Sequence, residues 1–263
     1  MADSPAGVAV EAAAEAGRPG RKSLYLLLLT FSLIIVVHMK TFLQSTPCID
    51  FESAPVQEFI TLHRSTNSSL QDQAIALYYA VRDLIRYDPY TPSTQISDFS
   101  ASRTLENGRG WCVPKAILYA ACCRAIGIPA RLGYADVRNH LSTENLRRHM
   151  GTDIFYWHGY TDVYLNGKWV KATPVFNIEL CQRFRLKTLE FNGNEDSIYH
   201  PFDLDGSKHM EYLKFRGEYA DLPFDEMMSD FARFYPNHND PENPGDFDRE
   251  VILETSESGG AGN

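Results

Sequence analysis

The sequence predicts an α+β fold, with helices first and strands after, and three observations carry that expectation. "SSLQDQAIALYYAVRDLIRY" sets Ala74, Leu77, Tyr78, Val81, Leu84 and Ile85 at helical spacing. From Cys112 the run "CVPKAILYAACCRAIG" has little polar relief until Gly127, a natural residue just past a helix end, so it reads as a buried helix. Residues 128–138, 153–165 and 168–176 are then rich in β-formers and aromatics. Asn166-Gly167 between the last two is the strongest short hairpin signal a sequence offers.

In chain order, residues 1–23 form an Ala/Gly-rich lead ending near Arg21-Lys22. Residues 24–40 follow as a hydrophobic segment. Its apolar core is short for a spanning helix, which needs roughly 20 residues. It suits a membrane anchor, a secretory signal or a buried extension, although no small-x-small cleavage pattern follows. As an anchor, its preceding basic residues would keep the amino end cytoplasmic and place the domain across the membrane. Asn67-Ser68-Ser69 would then be a glycosylation acceptor. Without an anchor the chain would be cytoplasmic. Ser69 and Asp72 form a capping-box pattern at the first predicted helix. "FDEMMSDFARFY" predicts a last amphipathic helix before Pro236. A folded unit over 41–235 is one domain in length. From Pro236 onward seven acids face Arg249 alone, so the tail 236–263 reads as solvated and disordered. With a net charge of −9 and no basic run, the chain is not expected to bind nucleic acid.

Chemistry concentrates around the cysteines. Cys122 and Cys123 are adjacent, which rules out a C-x2-C zinc bite, and Cys112 lies ten residues earlier with no paired histidines in register. No metal and no cofactor is expected. On the predicted helix, Cys122 and Cys123 read as small buried hydrophobes. Cys112 differs, because it follows "GRGW" at the helix start, with Pro114 in the first turn where no intrahelical N–H is needed. There the helix dipole and free N–H groups favour a thiolate and can later hold an oxyanion. Among the histidines His158 has the best setting for a base. It sits on the first strand of the Asn-Gly hairpin, flanked by aromatics in "FYWHGY".

"GWCVPKAILYAACCRAIGIPAR" followed by "HGYTDVYLNGKWVKATP" resembles the transglutaminase-like, papain-related superfamily. Its pattern is G-x-C at a helix start, R-A-x-G-I-P-A-R closing it, and H-A-W-x-E-V paired with G-x-W-x-x-x-D-P. The resemblance is close over 104–177 and loose over 41–235. It implies a central helix packed on an antiparallel sheet, with Cys112 the nucleophile, His158 its partner, and an amide or peptide as substrate. Hydrolysis and acyl transfer differ only in the acceptor.

The family's aspartate after the second-strand tryptophan becomes Thr173, counting from Trp169. A hydroxyl stabilises imidazolium far less than a carboxylate does. Asp162 is no replacement, since four strand residues at about 3.3 Å each separate it from His158. Asn177 is a better candidate, because an amide can orient a histidine. Trp111 is a candidate donor to the oxyanion beside the Cys112 N–H, or a packing aromatic. A catalytically silent binding module, and a scaffold tethered through 24–40, are the alternatives. "HPFDLDGSKH", with His200, Asp203, Asp205 and His209, reads as a solvated loop. Asp136, Arg138 and His140 read as a substrate-facing loop or as turn capping.

Overall fold

The computed structural model describes residues 39–91, 93–139, 142–198, 204, 206, 209–235 and 245–258. The chain divides into two units, Met1–Phe42 and Leu43–Asn263, and every strand and every helix named below from Ala54 onward lies in the second. Residues 24–38 of the hydrophobic segment lie outside the described residues. Among the described residues no helix is long and apolar enough to cross a membrane.

Helices α1 (Ala54–His63), α2 (Leu70–Leu84) and α3 (Ala101–Asn107) lead to the central helix α4 (Cys112–Ala125). Ser69 starts α2 as expected, its side chain accepting from the Asp72 N–H. Strands β1 (Arg86–Tyr87) and β2 (Arg109–Gly110) form a short parallel pair that fixes the approach to Cys112. After α4 come β3 (Ala130–Asn139), α5 (Glu144–Met150), β4 (Ile154–Leu165), β5 (Lys168–Ala172) and α6 (Ile178–Arg183). The chain then runs through β6 (Met210–Tyr219), α7 (Phe224–Phe234) and α8 (Phe247–Ser258). Strands β3 to β6 make one antiparallel sheet in the order β5-β4-β3-β6. The fold is therefore α+β, with α4 packed between this sheet and α1, α2 and α3. The Asn-Gly turn forms where expected, with φ of 51° at Asn166 and 83° at Gly167, the left-handed pair a tight hairpin needs.

Helix α4 is buried on every side, which explains its uniform apolarity, and the polar residues it carries are used as fasteners. The Lys115 ammonium donates to the Arg82 and Ile85 carbonyls at 2.9 and 2.5 Å, satisfying the carboxyl end of α2. Burial holds the Lys115 amine down at about 7. Arg124 donates to the carbonyls of Gln44, Ala130 and Ala220, tying the far end of α4 to three separate segments. All five cysteines are free and buried, and Cys122 and Cys123 have no exposure.

Three expectations differ from the structure. The acidic tail is not solvated throughout, because residues 247–258 form α8, whose Phe247 and Val251 are buried. Tyr90, Thr143 and Asn145 each donate to the Glu250 carboxylate, so an acid counted as tail charge joins α8 to α5. Within "HPFDLDGSKH", residues 200, 203 and 205 lie outside the described residues, but His209 is 3% exposed and belongs to the interior. Asp136 and Arg138 lie within β3 and not on a loop, and His140 is outside the described residues.

Candidate active site

Cys112 is the first residue of α4. Trp111 stands at the cap with extended backbone and makes no side-chain cap, so the first N–H groups of the helix have no competing side chain there. The N–H groups of Cys112, Val113 and Gly159 act on the sulfur and favour the thiolate. Burial outweighs them and pushes the thiol up to about 12. Strand β4 reaches the start of α4 because residue 159 has no side chain. A Cβ there would stand 3.1 Å from Val113 Cα and 3.3 Å from the Cys112 carbonyl oxygen. Thr161 fastens the same approach by donating to the Ala116 carbonyl at 2.8 Å.

His158 follows a β-bulge. Ala135 pairs with His158 and Val137 with Phe155, so Tyr156 and Trp157 together stand opposite Asp136. Trp157 takes the extra turn at φ 63°, a left-handed backbone that is costly for a bulky residue. Three side chains, Asp136, Asp230 and Arg216, hold it there. Asp136 Oδ1 accepts from the Trp157 N–H at 3.3 Å and from Arg216 Nε at 2.5 Å. Asp230 Oδ2 accepts from Trp157 Nε1 at 2.9 Å and Arg216 Nη1 at 2.5 Å. The Arg216 guanidinium lies 4.6 Å from the centre of the indole ring. Because of the bulge, Phe155, Tyr156 and His158 line the same cavity, which neighbours 155 and 156 of a regular strand could not do.

That cavity has an empty volume of about 720 Å3, part of it open to solvent, and both Cys112 and His158 line it. Trp111 lines it too, and its Nε1 is shut off from solvent with no hydrogen-bond partner among the described residues. A buried indole N–H normally finds an acceptor. Burial lowers the His158 imidazole to about 4, and the neighbouring His209 adds to the fall. Burial thus acts on both groups in the same sense, favouring the uncharged thiol and the uncharged imidazole.

Of the residues singled out from the sequence, Trp111, Cys112 and His158 come together at this cavity, and Thr173 and Asn177 do not line it. Strand β5 ends at Ala172, opposite Thr161, and at Thr173 the chain turns, with the Val175 N–H bonding back to the Thr173 carbonyl. Thr173 is fully buried and its hydroxyl has no hydrogen-bond partner among the described residues. The Asn177 side-chain oxygen accepts from the Tyr87 N–H at 3.4 Å. Asp162 is committed elsewhere, accepting from Arg131 at 2.7 and 2.9 Å. Sequence reasoning missed Tyr87, Phe176, Met210 and Tyr235 as cavity walls, and Asp136 as the acceptor at the bulge. It also missed His209 beside His158. None of these carries a local motif.

The fold thus brings a cysteine at the amino end of a buried central helix and a histidine of an antiparallel sheet to one cavity, the arrangement the sequence resemblance implies. Residues 60–174 match the model of the transglutaminase-like superfamily, so the chain contains a transglutaminase-like core, with Trp111, Cys112, His158 and Thr173 inside the matched segment. A crystal structure from Cytophaga hutchinsonii, described provisionally as a cysteine protease, is similar at 16% identity and a TM-score of 0.41. The match covers 69% of this chain and 54% of that one, so the chain spans about half of that protein's length. No curated protein matches.

Proposed function

We propose that the protein is a cysteine-dependent acyl-transfer enzyme acting on an amide or related acyl carbonyl. The observation that carries this reading is the meeting of Cys112, His158 and the unpartnered Trp111 N–H at one cavity. Because burial favours the uncharged forms of both groups, His158 acts as a general base. It takes the thiol proton as Cys112 Sγ bonds to the carbonyl carbon, then delivers it to the departing amine as the C–N bond breaks. The Cys112 N–H and Trp111 Nε1 receive the oxyanion. The thioester is released by water or by an amine acceptor.

The test is to trap the adduct from a library of amides and locate it by mass. An acyl group on Cys112, absent in Cys112→Ala, is the expected result. Amides that bind without any adduct would instead select a catalytically silent transglutaminase-like module. That second reading is favoured by one observation: Thr173 replaces the carboxylate expected from the resemblance and does not line the cavity. In either case we propose that residues 24–40 tether the chain to a membrane. The full chain should then stay with the pellet after alkaline carbonate extraction, and recovery in the soluble fraction would remove the tether.

A further inference from the structure

Resting on the acyl-transfer reading, we propose that the cavity at Cys112 takes an uncharged, apolar acyl group, an aliphatic chain or an arene, and rejects acyl groups ending in a carboxylate or an ammonium. Its walls are side chains such as Phe155, Phe176, Phe231, Met150 and Met210, and among the described residues no Asp, Glu, Lys or Arg lines it. A buried charge with no counter-charge is costly, whereas each methylene placed against such walls is worth about fourfold in binding. The displaced titrations of Cys112 and His158 both follow from burial first, which fits a site with little water around the reacting atoms. One polar feature fits the remaining part of the substrate. The Trp111 N–H, buried and unpartnered, can receive the carbonyl oxygen, while the chain beyond it meets mostly apolar and aromatic side chains, with Asn139 and His149 the polar exceptions apart from the reacting pair. A second, smaller cavity shares Tyr87, Leu146 and Phe176 with the first and is also walled by Leu180, Phe184 and Phe247, with Asn139, Ser142 and His209 its polar members, so uncharged, largely apolar surroundings continue past the first chamber.

The experiment uses p-nitrophenyl esters of acetate, butyrate, hexanoate and 3-phenylpropionate beside the hemisuccinate and the β-alanine ester. Acylation of Cys112 breaks the aryl ester bond, forms the thioester and releases p-nitrophenolate, with the thiol proton passing to His158. Rates on the full chain, each divided by the rate with free cysteine, should rise about fourfold per methylene up to a limiting length. The two charged esters should be at least about tenfold slower than neutral esters of equal length. Adducts on Cys112 without such a preference would overturn the chamber while leaving the acyl-transfer reading intact. Absence of any Cys112 adduct would defeat the reading itself. The chamber is then judged by calorimetric binding of hexanamide against succinamate: preference for hexanamide supports it, and equal binding overturns it.

Discussion

Replacing Asp136 by alanine is expected to slow acylation of Cys112 by about 10²-fold, the loss that follows when a catalytic group is misplaced by roughly an ångström. Asp136 touches neither the cavity nor the reacting atoms. It accepts the Trp157 N–H inside the bulge and holds Arg216, so it is a positioning residue for the histidine one step further along β4. Without that acceptor, only the indole contacts to Asp230 and Arg216 oppose the left-handed backbone at Trp157, and relaxation of the bulge would turn His158 toward the register of a regular strand. Stability should fall as well, by about 3 kcal/mol, because Arg216 loses one of its two carboxylates in a partly buried place. Two further variants separate positioning from folding. Asp136→Asn keeps an oxygen for the Trp157 N–H and should recover much of the rate. Asp230→Asn disturbs the same arginine but only the indole end of Trp157, so it should lose stability with little loss of rate. A folded Asp136→Ala chain that acylates normally would show that the bulge holds itself.

The neutral imidazole gives a second large effect, on stability against pH. His158 titrates at about 4 in the folded chain, against 6.5 for the ordinary group. Between those values the unfolded chain binds a proton that the folded chain refuses, so stability rises with pH across this window. The contribution is complete above about 6.5 and is lost as pH falls toward 4, amounting to about 3 kcal/mol over the shift. Urea titrations of the protein and of His158→Gln, compared from pH 7 to 4, isolate it from the carboxylates that titrate in both. The difference between the two curves should shrink by that amount on acidification. Parallel curves would mean that His158 takes up its proton as readily in the fold as in the unfolded chain. The same displacement sets the acid limb of kcat/KM near pH 4, well below that of an ordinary histidine.

What was legible in the sequence was chemistry fixed by neighbours along the chain. The cap at Ser69, the Asn166-Gly167 turn and the apolar α4 between Trp111 and Gly127 each follow from residues a few positions apart. Cys112 and His158 were legible for the same reason, one at a helix start and one beside a hairpin. What failed depended on tertiary placement. His209 lies in a polar stretch, and only the packing of β6 against β3 buries it. The acids after Pro236 outweigh Phe247 and Val251 in any reading of composition, yet burial of those two side chains and the bonds to Glu250 dock α8. Counting from Trp169 does reach Thr173, but β5 ends one residue earlier and the chain turns there, so a count along the strand cannot say what the hydroxyl faces. The bulge at Trp157 is invisible beforehand because its cause, Asp136 and Arg216, comes from two other strands.

The strand order also divides the sheet by distance along the chain. Strands β3, β4 and β5 follow one another with only α5 and a tight turn between them, and so can pair soon after they are made. The other edge of β3 receives β6, which begins at Met210, long after β3 ends at Asn139. Until that late strand arrives, Tyr134 to Asn139 present an open row of backbone donors and acceptors in the middle of what will be the sheet, the kind of edge that recruits strands from other chains. Arg216, which enters on β6, is also the residue that completes the clamp on Trp157. A ribosome that has finished Cys112 and His158 has therefore not yet supplied the part that sets the bulge beside His158, and the half-made domain carries both residues before their geometry is fixed.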